Sequence, residues 1–148
     1  MSRRRILVVA GVLVGLFVCI QLIPVWLLQT NPPIAQEPPW DSPQTRALAQ
    51  RACFDCHSNE TVWPLYSRIA PASWLVTFDV VQARDHVNFS DWGQRYGGVE
   101  SEHDAGEVTR MITRGEMPPE RYLLLHPSAR LTDAEKQQLI AGLEASLK

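Results

Sequence analysis

Cys53-Phe54-Asp55-Cys56-His57 is the stretch on which the reading of this chain turns. Two thiols three positions apart can each add to one vinyl group on the same edge of a haem. The next residue is then placed to send an imidazole nitrogen to the iron. C-x-x-C-H is accordingly read as a c-type haem attachment site. Three other readings compete. A thioredoxin-like dithiol belongs beside a βαβ pattern, and none is visible. A zinc site wants four ligands at short spacing, whereas His86, His103 and His126 are scattered. A disulfide in so tight a loop is the third. Cys19, the remaining cysteine, sits in an apolar block and reads as a small apolar residue.

Upstream of the motif, Ser42 caps a helix with Pro43 at its first position, and the helix runs to about Cys53. Downstream, a helix is expected from Pro71 to about Arg84, with Trp74, Leu75, Phe78 and Val81 on one side. Ser101 with Asp104 resembles a capping box, and that helix stops at Gly115. Thr132 with Glu135 is a capping box for a last helix striped with Leu139, Ile140, Leu143 and Leu147. No alternating strand pattern exceeds a few residues. The expected fold is all-α with long loops.

Gly115-Glu116-Met117-Pro118-Pro119 supplies the sixth-ligand candidate. Met117 falls just past a helix, and the two prolines stiffen its loop. A Met/His pair raises the reduction potential, because the soft thioether favours ferrous iron. The bland alternative for Met117 is a core gap-filler, the role assigned to Met111. His126 is the rival ligand, although a lone His among leucines is commonly structural. His86 and His103 read as surface residues. Trp63, Tyr66 and Trp74, with Phe78, Phe89, Trp92 and Tyr96, are either a pocket wall or an ordinary aromatic core. Arg68 is a propionate partner by charge alone.

Ahead of the domain, Arg3-Arg4-Arg5 precedes 23 uncharged residues from Ile6 to Leu28. As a helix these would reach roughly 34 Å, enough for a hydrocarbon core of about 30 Å. The positive-inside rule keeps the arginines in the cytoplasm and exports the rest. No A-x-A site follows the block, which favours an anchor over a cleaved signal peptide. Phe17 and Val18 before Cys19 disfavour a lipoprotein cut. The organisation expected is a basic tail over 1–5, a transmembrane anchor over 6–28, a proline-rich linker over 29–41 and a haem-binding domain over 42–148. Past residue 29, eleven basic residues face sixteen acidic ones, a net charge of −5. That argues against a nucleic-acid partner, which needs clustered Lys and Arg, and leaves open a basic protein partner.

Together, Cys53 to Thr61, Trp63-Pro64 with Tyr66, Ile69 to Trp74, Val87 to Ser90, Gly115 to Pro119, Tyr122 and His126-Pro127 resemble the small bacterial haem-binding-domain proteins. The likeness spans roughly residues 36–147. It implies haem binding, and the helical layout resembles class I cytochromes c, a cytochrome-c-like haem domain. With the motif and the N-terminal segment, the expectation is one covalent haem c on a domain facing the periplasm, held by a single span in the inner membrane. Cys53 and Cys56 would carry the haem, His57 and Met117 the iron. The likeness implies little about the reaction or the partner. One-electron transfer with redox protein partners is expected because one covalent haem and a second ligand candidate stand without any other catalytic constellation. An open sixth site would instead imply a haem-based ligand sensor or a peroxidase-like enzyme. A redox-silent haem would imply an assembly protein.

Overall fold

The computed structural model describes residues 2–92 and 100–146, with residues 100–105 described by backbone alone. Among these residues the chain is helical and has no strand, as expected; an isolated bridge joins Gln36 to Asp91. Tyr96 and Leu147 lie outside the described residues, as does the side chain of His103.

The apolar block forms α1, Arg3–Gln21, exposed throughout, and the stretch to Leu28 is long and apolar enough to cross a membrane. The helix stops seven residues short of Leu28. Pro24 disfavours helical backbone at the residue before it, and the Gln21 amide leaves the axis. Its Oε1 accepts from the Ala70 N–H at 2.9 Å while Nε2 donates to the Ala70 carbonyl at 3.2 Å. Val25–Leu28 then makes a 3₁₀ turn. Gln29 fastens its end, Nε2 donating to the Ser67 carbonyl and to Thr77 Oγ1.

That turn explains a reversal on α4, Ala72–His86. The expected apolar side is exposed at Leu75, Phe78 and Val81, and the buried face is Ser73, Thr77 and Val80. A chain segment crossing close to a helix needs small side chains beneath it, and Ser73 and Thr77 satisfy that.

Residues 29–41 are extended, as their prolines dictate, but they lie along the domain. Asn59 Nδ2 donates to the Pro33 carbonyl, and the N–H groups of Ala35 and Gln36 donate to the Ser90 carbonyl. Glu37 accepts from Trp40 Nε1 at 2.6 Å and from Arg46 Nε and Nη2 at 2.7 and 2.6 Å. These bonds, those from Arg46 foremost, hold the Glu37 carboxyl below its ordinary 4.5. Because the folded pKa is the lower one, the stabilisation is complete above 4.5 and fades as pH falls through the folded value. Glu37→Gln should therefore flatten the acid limb of a plot of Tm against pH within that window. Identical slopes for the two proteins would remove the pair from the acid response.

The core joins α2, Pro43–Ala52, to α7, Asp133–Ser146. Ser42 Oγ caps α2 by accepting from the Thr45 N–H. The Thr132–Glu135 capping box forms in full ahead of α7. Ala49, Leu139 and Leu143 are wholly buried, with Leu48 and Ala52 beside them. Phe54, Phe89 and Trp92 extend the core, as do Ile112 on α5 (Glu100–Thr113) and Leu131. Phe89 and Trp92 thus belong to the ordinary core, and Trp40 packs against it. The expected Ser101–Asp104 capping box rests on side chains that lie outside the described residues.

Where α2 and α7 cross, Gly142 meets Thr45, and a Cβ there would overlap the Thr45 side chain. Gly142→Ala should cost about 1–3 kcal/mol by overpacking, read by denaturant unfolding of the haem-loaded chain. Adding Thr45→Ala should recover most of that. Wild-type stability in the single variant would contradict the crossing.

Candidate functional site

The cysteine motif is a single helical turn. Cys53 N–H closes α2 onto the Ala49 carbonyl at 2.8 Å. The Cys53 carbonyl then accepts from Cys56 and His57 N–H at 3.1 and 2.9 Å. This turn is α3, Phe54–His57. Its two intervening residues point to opposite supports. Phe54 is 2% exposed and lies 5.7 Å from Phe89 and 6.2 Å from Trp40, ring centre to ring centre. Asp55 accepts from the Tyr122 hydroxyl at 2.7 Å and from the Val62 N–H at 3.1 Å. Apolar burial on one side and charge-assisted hydrogen bonds on the other fix the turn.

Both thiols are unpaired. Burial pushes Cys53 up to about 12, with Cys56 as a lesser cause. Burial, then Asp55 and Asp79, push Cys56 up to about 11. Neither is a thiolate at neutral pH, unlike the low-pKa thiol of a redox-active dithiol. Among the described residues no group of three or more His, Cys, Asp or Glu is placed to hold a metal ion.

His57 Nδ1 lies 3.0 Å from the Val87 carbonyl. A carbonyl only accepts, so Nδ1 carries the proton and Nε2 keeps a free lone pair. Burial holds the His57 pKa below its ordinary value, against the opposing pull of the Val87 and Ala83 carbonyls. The ring is thus neutral at physiological pH, the form that ligates iron.

Behind the motif, Arg84 gathers the chain. Nε donates to the Ser58 carbonyl and Nη1 to the Thr30 carbonyl, both at 2.7 Å. Nη2 donates to Asn31 Oδ1 and Thr61 Oγ1. Asn88 Nδ2 donates to Asn59 Oδ1, and the Phe89 N–H to the His57 carbonyl. Sequence reasoning assigned no role to Asp55, Asn59, Arg84 or Tyr122. Three of these fall in the stretches that carried the resemblance, which was a signal. Arg84 offered none, since charge alone does not distinguish it from Arg68.

Met117 follows Gly115, whose φ of +70° turns the chain out of α5, and its N–H donates to the Met111 carbonyl at 3.3 Å. Its side chain is half-buried. His126 is engaged with its neighbours. Its ring stacks on Tyr122 at 4.1 Å, with Nδ1 3.1 Å from the Tyr122 carbonyl. Its Nε2 lies 3.5 Å from the Tyr66 hydroxyl. Tyr122 therefore ties the motif, through Asp55, to the segment that carries His126. Arg68 lines a crevice with Gln21, Ile23 and Trp26 at the end of α1. Its place is against the apolar N-terminal segment.

The donor set fits a haem. Two neutral thiols and a histidine with a free Nε2 share one turn. Trp63 and Trp74 add buried Nε1 donors with no acceptor, and an orphaned buried N–H is costly unless a carboxylate or similar group meets it. Cys53, Cys56 and His57 could hold the cofactor, with Met117 as a further iron ligand.

A family model described as "Haem-binding domain" matches residues 15–145. No curated protein and no solved structure matches the chain.

Proposed function

Because the chain belongs to the haem-binding domain family, we propose that it is a membrane-anchored, mono-haem c-type electron carrier whose domain faces the periplasm. The observation that carries this reading is the α3 turn, where Cys53, Cys56 and a neutral His57 with a free Nε2 stand together. When bound, a haem supplies reversible one-electron chemistry, and its axial ligands set the potential. Cys53 and Cys56 would hold it through thioether bonds, and His57 and Met117 would complete the iron's ligation.

The remaining residues orient and enclose. The Val87 carbonyl fixes the His57 tautomer and ring plane, the kind of outer contact that tunes a ligand's basicity. Phe54 and Asp55 clamp the turn from both sides, so little rearrangement of the protein accompanies a change of charge. The orientation rests on Arg3, Arg4 and Arg5, which stay on the cytoplasmic side. Potentiometric titration of the purified full chain should give one reversible one-electron transition, with the colour retained in denaturant. A folded, coloured protein with no such transition overturns the carrier reading.

The Tyr66–His126 pair favours a second reading, a ligand sensor or peroxidase-like site with polar groups beside an open sixth position. Rapid carbon monoxide binding by the ferrous protein would support it, and no binding would count against it.

A further inference from the structure

We infer that the haem domain lies flush on the bilayer, with Trp26, Leu27, Leu28, Phe78 and Val81 as a lipid-contact face. The inference rests on the reading of the N-terminal segment as a membrane span. Within α1 the uncharged run is residues 6–21, sixteen residues. At 1.5 Å per residue it reaches about 24 Å, short of a hydrocarbon core of about 30 Å. The missing thickness falls to residues 22–28, and these do not continue the helix.

They are folded onto the domain and fastened at both ends, by Gln21 to the Ala70 peptide and by Gln29 to Ser67 and Thr77. Bringing residues 22–28 to the depth the span requires brings the domain with them. The surface that arrives is apolar. Trp26, Leu27 and Leu28 are 58, 59 and 59% exposed. Phe78 and Val81, three apart on α4, are 60 and 45% exposed. Leu27, Leu28 and Val81 line one groove together with Arg84, Asp85 and Asp91. Exposed large apolar side chains gathered in this way mark an interaction face, and Trp26, Leu27 and Leu28 continue the span in sequence. A tryptophan beside the span and Arg68 in the adjoining crevice suit the headgroup level, where an indole sits half-wet and a guanidinium meets phosphate.

The test uses the full haem-loaded chain in vesicles of phosphatidylethanolamine and phosphatidylglycerol, with Cys19→Ser to remove the free thiol. Nitroxide labels are placed through Leu13→Cys, Leu28→Cys, Val81→Cys and Glu144→Cys, each on its own. Labelling of the chain without added cysteines measures any contribution from Cys53 and Cys56. Power saturation then compares oxygen, which concentrates in lipid, with an aqueous nickel chelate. The oxygen-to-nickel ratio should be several-fold higher at 13, 28 and 81 than at 144, and deepest at 13. Lipid depth at 13 with an aqueous ratio at 81 overturns the flush domain and leaves the span intact. Low access to both reagents at 81 overturns it too, by placing protein there. An aqueous ratio at 13 removes the span itself.

Discussion

Replacing Met117 by alanine should lower the reduction potential by a large part of the roughly 0.8 V that axial ligation spans. It should also abolish the ferric methionine–iron charge-transfer band. The expectation rests on a contrast between two side chains. His126 is occupied: its ring stacks on Tyr122, Nδ1 faces the Tyr122 carbonyl, and Nε2 lies near the Tyr66 hydroxyl. Recruiting it would break those contacts. Met117 has a half-buried thioether on a loop bounded by Gly115 and two prolines, and loses little on ligation. The measurement is a redox titration with spectra in both states for the wild type, Met117→Ala and His126→Ala. A wild-type potential in Met117→Ala, with a shift only in His126→Ala, would reverse the assignment. A high-spin wild type would hand the sixth position to an exogenous ligand.

Removing both proposed attachment points, Cys53→Ala with Cys56→Ala, should release the haem on denaturation and leave the domain markedly less stable. The loss should resemble that of a native cross-link taken from a small domain, about 2–5 kcal/mol. The argument is local. Cys53 ends the core helix α2, Phe54 beside it enters the main aromatic cluster, and Asp55 reaches Tyr122 on the far side. A cofactor covalently held at this turn is therefore held by the whole domain. Equilibrium unfolding by helical signal, with and without added haem, reads the difference. Native-like helicity and an unchanged midpoint in the haem-free double variant would show that the domain is self-sufficient.

What was legible in the sequence was what depends on near neighbours. Ser42-Pro43 and Thr132-x-x-Glu135 announce their helices through contacts within a single turn, and both form. The C-x-x-C-H turn is equally local. The face of α4 was not legible, because periodicity counts apolar residues and cannot know that another segment will cross over Ser73 and Thr77. The early end of α1 had a local cause in Pro24. Its docking onto Ala70 depends on a residue 49 positions away. The support of the site was hidden for the same reason. Asp55, Asn59 and Arg84 act through partners dozens of residues distant, and no short pattern encodes such pairs. Tyr66 and His126 were singled out separately as a pocket residue and a rival ligand. Their proximity belongs to the fold.

The stretch over 29–41 carries one more implication, for traffic. Thirteen residues of extended chain left free could let a domain roam up to about 43 Å from its mooring. Here the same residues are laid down and bonded to the body they serve, so the reach is close to nil. For the proposed electron carrier, a swinging arm would collect electrons by sweeping a volume, whereas a fixed post would wait for carriers to pass at the one bearing it presents. Its exchange would depend on how often a partner arrives in the right attitude, and lengthening the sequence between Thr30 and Pro33 would add slack without adding range, because Gln21 and Gln29 fasten the chain to the domain upstream of it.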